Sequence, residues 1–305
     1  YDIGDKIPFR LQGTVSKDFD SYKTYYYAFH DVEEKGLTFD SSSVKVFVGD
    51  EVTGTKIDAS NYTVVTSPTD GCTFEIVFDD LKKVTGVTAN SIITVTYEST
   101  LNTDAVLGAQ GNVNTAKLEY SNNPRGNGTG TTPWDNVIVF TYKVVVNKID
   151  QAGQPLEGAE FTLTKKLKDG TEVDMPMNID TSNKALFTLS GLDDGEYTLT
   201  ETVTPAHYNT ISPITFTVNA DHTITWESDP RDTVLTSLSG NTASGEITFT
   251  PNKTDGTLTT DVINNIGTTL PGTGGIGTTI FYVIGGGLMV AAAILLITKK
   301  RMENR

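Results

Sequence analysis

Tyr142 to Asp150 reads YKVVVNKID, an alternating run rich in β-branched residues whose period of two is that of a strand. QAGQPLEGAEFTLTKK follows at once and reads as a turn and a second strand, so the local expectation is a hairpin. Further on, GLDDGEYTLTETVTPAHY runs from Gly191 to Tyr208, a turn-rich lead-in and then a strand that sets Tyr197, Leu199 and Glu201 on one face. Glu201 thereby falls on the apolar side. A lone carboxylate there costs several kcal/mol unless it is paired or protonated, so its presence asks for a chemical reason.

The residues before this stretch alternate in the same way, in SVKVFVGD and SIITVTYEST, with turn clusters such as SPTDG and QGNVN between the runs. They predict a second β-sandwich. PRGNGTGTTPW, from Pro124 to Trp134, reads either as a flexible connection or as a loop inside the first domain ahead of the strand NVIVFTYKV. A length of 305 residues accommodates about two domains, and 20% charged and 9% aromatic residues describe a globular, β-rich chain. The expected class is all-β.

A formal net charge of -15 repels polyanions, which argues against nucleic acid as a partner. Cys72 is the single cysteine, so the chain has no intramolecular disulfide, and some other covalent device would have to take that role. The three histidines, His30, His207 and His222, are scattered without metal-ligand spacing, and no Gly-rich phosphate loop precedes a helix. Neither a metal, a cofactor nor an enzymatic turnover is expected.

Thr279 to Ile297 reads TIFYVIGGGLMVAAAILLI, long enough to cross a hydrocarbon core of about 30 Å as a helix. Lys299, Lys300 and Arg301 follow, so the tail stays in the cytoplasm and the preceding chain lies outside. Directly ahead stands Leu270-Pro271-Gly272-Thr273-Gly274. That motif, the apolar run and the basic tail together resemble the LPxTG sorting signal of Gram-positive sortase substrates. The resemblance implies that a sortase cysteine cleaves between Thr273 and Gly274 and passes the threonyl group to an amine on peptidoglycan precursor or on another subunit. The membrane span would then be transient, and the product a cell-wall protein of the bacterial surface. The true amino terminus is expected to lie upstream of Tyr1, since such a signal belongs to an exported protein.

The segments from Tyr142 onward resemble the collagen-adhesin B-type domain, a small β-sandwich of surface proteins and pilins. Its hallmarks are a lysine in the first strand, a glutamate in a Y-x-L-x-E-T box and an asparagine in the last strand, which Lys148, Glu201 and Asn264 match here. The family implies that Lys148 attacks the amide carbon of Asn264, expels ammonia and leaves an isopeptide bond, with Glu201 shuttling protons. Asn265 remains an alternative, because a slip of one residue exchanges which neighbour faces inward. Pro205-Ala206-His207-Tyr208 departs from the usual Pro-x-Gly-Tyr of this box.

In the first domain, IGDKIPFRLQGTV, HDVEEKGLTF and NTAKLEYSNNP resemble the collagen-adhesin A-like middle domain of sortase-assembled pilin backbones. By that resemblance Asp31 matches the catalytic acid and Asn122, in YSNNP, the isopeptide asparagine. The partner lysine is expected upstream of Tyr1, as is the pilin-motif lysine that accepts the next subunit, and Lys6 is the nearest candidate within the chain.

The expected organisation is therefore two tandem immunoglobulin-like β-sandwiches, 1–140 and 141–266, followed by a sorting signal, 267–305, with a single C-terminal transmembrane helix at 279–297. The implied function is structural, a subunit of a covalently polymerised pilus that supports adhesion. Sortase, other pilin subunits, peptidoglycan and host surface proteins are the implied partners. The competing expectation is a wall-anchored monomeric adhesin or minor pilin whose visible domains form a stalk.

Overall fold

The computed structural model describes residues 1–223, 230–243 and 245–267. Leu270 to Gly274, the apolar run 279–297 and the basic tail lie outside the described residues. Among the described residues the regular structure is β-strand with a few single-turn 3-10 segments, and no helix is long and apolar enough to cross a membrane.

The first sandwich contains β1 (Lys6–Thr14), β2 (Tyr27–Glu33), β3 (Leu37–Val48), β4 (Thr55–Lys56), β5 (Thr63–Val65), β6 (Phe74–Phe78), β7 (Ile92–Leu101), β8 (Asn112–Ser121), β9 (Thr129–Thr131) and β10 (Asp135–Val139). One sheet runs β1-β7-β3-β4; the other runs β10-β8-β2-β6-β5, with β9 pairing β8. PRGNGTGTTPW thus lies inside this sandwich, a turn that leads into β9 and on to β10. Alternation dictates the packing: Ile7 and Phe9 of β1, Phe74, Ile76 and Phe78 of β6, and Ile93, Val95 and Tyr97 of β7 all turn into one buried core.

The second sandwich contains β11 (Tyr142–Asp150), β12 (Glu160–Lys166), β13 (Glu172–Met175), β14 (Asn178–Ile179), β15 (Leu186–Leu192), β16 (Gly195–Val203), β17 (Ile214–His222), β18 (Leu235–Thr242), β19 (Thr250–Asn252) and β20 (Thr257–Asn264). Its sheets run β14-β15-β11-β20-β19 and β13-β12-β16-β17-β18. Val144, Val146, Phe187 and Leu189 of one sheet bury against Leu163, Tyr197, Leu199 and Phe216 of the other. The expected β11–β12 hairpin does not form. Beyond a single bridge between Ile149 and Pro155, the chain carries β12 across to the facing sheet, where its apolar face joins the core. β11 pairs instead with β15 and, in parallel, with β20. The opening and closing strands of the sandwich are therefore neighbours.

The two sandwiches meet at polar and close backbone contacts. Arg231 grips Glu34 through both carboxylate oxygens, at 2.7 and 3.0 Å, and donates to the Gln110 and Gly111 carbonyls. The buried Lys165 ammonium pairs with Asp2. Gly108 and Gly256, at φ of +75° and +63°, approach so closely that a Cβ on either would strike the other's backbone, so glycine is required at both. A separate small unit contains His207–Asn209 and Asn265–Gly267, joined by a bridge between Tyr208 and Ile266.

Candidate functional site

Lys148 enters β11 at a position where the strand alternates buried and half-buried residues, and the register of four inward positions, Tyr142, Val144, Val146 and Lys148, leaves its side chain fully enclosed. On the adjacent parallel strand Lys148 lies opposite Val262, and Asn264 lies two residues further on the same inward face. That offset is about 8 Å between Cα atoms, within reach of a lysine side chain. Lys148 Nζ donates to the backbone carbonyls of Val262, at 3.0 Å, and Ile149, at 3.3 Å. Burial pushes its pKa down to about 8, with the Glu201 charge opposing that shift.

Glu201 reaches the same point from β16 in the facing sheet. Asn264 Nδ2 donates to Glu201 Oε1 at 2.9 Å and Oε2 at 3.1 Å, and Oε2 also accepts from Thr204 Oγ1 and the Ile211 amide. The carboxylate is thus fixed by the turn between β16 and β17 and aimed at the amide. Asn264 Oδ1 is buried with no hydrogen-bond partner among the described residues. Asn265 faces out. A buried amine, a carboxamide and a carboxyl group from three strands converge in a place closed to water, a constellation suited to acyl transfer between the first two groups.

In the first sandwich, Asp31 of β2 is fully buried, and Oδ2 accepts from Tyr97 Oη at 2.8 Å and from Asn114 Nδ2 at 3.4 Å. Burial pushes Asp31 up to about 7, and the neighbouring Glu33, held by Ser99 Oγ, also up to about 7. Asn122 is not at this site. Asp31 pairs in register with Ala116, and Asn122 lies six residues further, roughly 20 Å along the strand direction, in an exposed turn where Nδ2 donates to the Thr129 carbonyl. The amide that meets Asp31 is Asn114, in the same NTAKLEYSNNP segment. Asn114 also borders a cleft of about 310 Å³ between β1 and β10. Lys6 points to solvent and pairs with Asp40 and Glu98, away from Asp31. Asp31 Oδ1, Glu33 Oε2 and Asn114 Oδ1 are buried acceptors without a donor among the described residues.

Family models match three parts of the chain. Residues 3–124 match the Gram-positive pilin backbone subunit 2, Cna-B-like domain, where the motifs predict an A-like domain. Residues 142–230 match the SpaA prealbumin-like fold domain, and residues 263–304 match the LPXTG cell wall anchor motif. The trypsin-resistant surface T6 protein of Streptococcus pyogenes serotype M6 is 26% identical over 92% of this chain and 61% of that protein, so the chain spans about three fifths of this relative's length. In fold the chain is similar to the pilus 2b backbone protein of group B streptococcus, with a TM-score of 0.57 and 19% identity over 89% of this chain and 96% of that one. Domains D2 and D3 of the major pilin SpaD from Corynebacterium diphtheriae give a TM-score of 0.57 and 21% identity, covering 87% of this chain and 95% of theirs.

Proposed function

We propose that this wall-anchored surface protein, whose segments match a Gram-positive pilin-backbone domain, a prealbumin-like domain and an LPXTG cell-wall anchor motif, is a load-bearing pilus subunit whose second sandwich closes itself with a Lys148–Asn264 isopeptide bond. The observation that carries this reading is the fully buried Lys148 beside Asn264, with Glu201 bonded to the amide that would react.

The geometry supports this chemistry. Enclosure favours the neutral amine, which supplies a lone pair at Nζ. Nζ attacks Cγ of Asn264, the new Nζ–Cγ bond forms, and the bond from Cγ to Nδ2 breaks. Glu201 takes a proton from Nζ and returns it to Nδ2, which leaves as ammonia; no redox partner is needed. The residues act once, on their own chain, so this is maturation and not turnover. Because β11 opens the sandwich and β20 closes it, the bond ties the two ends of the fold together, and tension along the chain passes through that bond instead of peeling strands apart. Asp31 and Asn114 would support the same chemistry in the first sandwich when a lysine amine is brought to their unsatisfied acceptors.

Sortase cleavage between Thr273 and Gly274 and joining to a neighbouring subunit or to peptidoglycan complete the proposal. The test is an immunoblot of wall extracts from the native bacterium. Polymerisation gives a ladder of high-mass species resistant to boiling in detergent, and Thr273→Ala collapses it to monomer. A single wall-linked band in the wild type would refute polymerisation and favour the monomeric adhesin stalk.

A further inference from the structure

We propose that the first sandwich carries a transition-metal site of the zinc class, formed by His30, Asp70, Cys72 and Glu75 on the face of the sheet opposite Asp31. His30 follows the core side of β2 by one residue, so its ring turns to the outer face, yet the side groups around it leave it only 5% exposed. Register sets Glu75 of β6 directly across from it, and the turn that leads into β6 brings Asp70 and Cys72 over the same spot.

The donor atoms are close enough to share one ion. His30 Nδ1 lies 3.0 Å from Glu75 Oε1, 3.2 Å from Asp70 Oδ2 and 3.9 Å from Cys72 Sγ, and Cys72 Sγ lies 3.2 Å from Asp70 Oδ2. All four ligand atoms fall within 4.8 Å of one another. A tetrahedral ion with bonds of about 2.0–2.3 Å separates its ligands by roughly 3.3–3.8 Å, so side-chain adjustments of about 1 Å, opening the shortest pairs and closing the widest, complete the polyhedron.

Two further observations point to a cation. The other ring nitrogen, His30 Nε2, lies 3.1 Å from Glu119 Oε2. With an ion on Nδ1, that carboxylate would accept the Nε2 proton and orient the ring, as outer carboxylates do for metal-binding histidines. Charge gives the second: Asp70, Glu75 and Glu119 bring three carboxylates to one imidazole, negative surroundings that attract a cation. Imidazole and thiolate alongside two carboxylates select zinc or cobalt over calcium or magnesium, which take oxygen ligands. On binding, the Cys72 thiol releases its proton to solvent and a metal–sulfur bond forms, with no change of oxidation state.

The test titrates the reduced full chain in detergent micelles with Co2+ and then with Zn2+. One equivalent of Co2+ should give a near-ultraviolet thiolate-to-cobalt absorption that Zn2+ displaces. Cys72→Ser should abolish that band and weaken Zn2+ at least about tenfold while the metal-free melting temperature stays unchanged, and Glu119→Gln should weaken Zn2+ about 10–100-fold with the band retained. Failure to bind Co2+ at one equivalent, binding that survives both Cys72→Ser and His30→Gln unchanged, or equal preference for Ca2+ would each overturn the site.

Discussion

Lys148→Met deletes the attacking amine and keeps an unbranched side chain of similar length, with no charge left in a position that has no exposed surface. A bond from Lys148 to Asn264 closes a loop of about 117 residues, for which chain entropy gives about 16 cal/mol/K, or about 5 kcal/mol at 25 °C. A sandwich of about 125 residues unfolds with an entropy near 0.26 kcal/mol/K, so losing the bond should lower its melting temperature by about 15–20 °C. Calorimetry on the full chain reads this directly. Asn264→Leu should produce a similar drop, and combining the two changes should add little, because both remove one bond. A Lys148→Met shift below about 5 °C, or two shifts that simply add, would refute the cross-link and leave Lys148 as a packed core lysine.

Since burial brings Lys148 down to about 8, cross-linking in freshly refolded protein should accelerate as pH rises through 8 and level off above it; a rate flat from pH 6 to 10 would contradict this. Asp31 and Glu33 have folded values raised to about 7, so their contribution is complete below about pH 4, where the unfolded chain also holds its protons, and is lost as pH climbs toward 7. For Asp31 alone the loss is at most about 4 kcal/mol, and Asp31→Asn should flatten that part of the stability–pH curve measured by denaturant titration. Arg231→Ala removes a clamp that is more than a third exposed, so global stability should change by less than about 1 kcal/mol, while hydrogen exchange speeds up at the Val113 amide bonded to Glu34.

Much of the fold is legible from alternation, because a period of two states which residues share a face. Tyr197, Leu199 and Glu201 share a buried face as the pattern requires, and that unusual carboxylate is the signal that led to the second-sandwich site. Partners across strands are harder to read. YKVVVNKID and EFTLTKK look like a hairpin because they are adjacent and both alternate, but β12 belongs to the opposite sheet, and nothing local distinguishes a turn from a crossing. Asn122 and Asn114 sit eight residues apart in one segment, and only the pairing of Asp31 with Ala116 decides which meets the acid. Asp70, Cys72 and Glu75 lie within six residues of one another, but His30 is 40 residues from Asp70, and only the pairing of β2 with β6 brings it to them.

The central claim is covalent, and mass is its direct measure. The intact mass of the full chain should fall about 17 Da below the value its sequence requires, one ammonia, with the deficit carried by a tryptic species that joins the Lys148 and Asn264 peptides. Lys148→Ala and Glu201→Ala should both restore the full mass. A wild-type chain at its full sequence mass, or a deficit that persists in Lys148→Ala, would contradict the account.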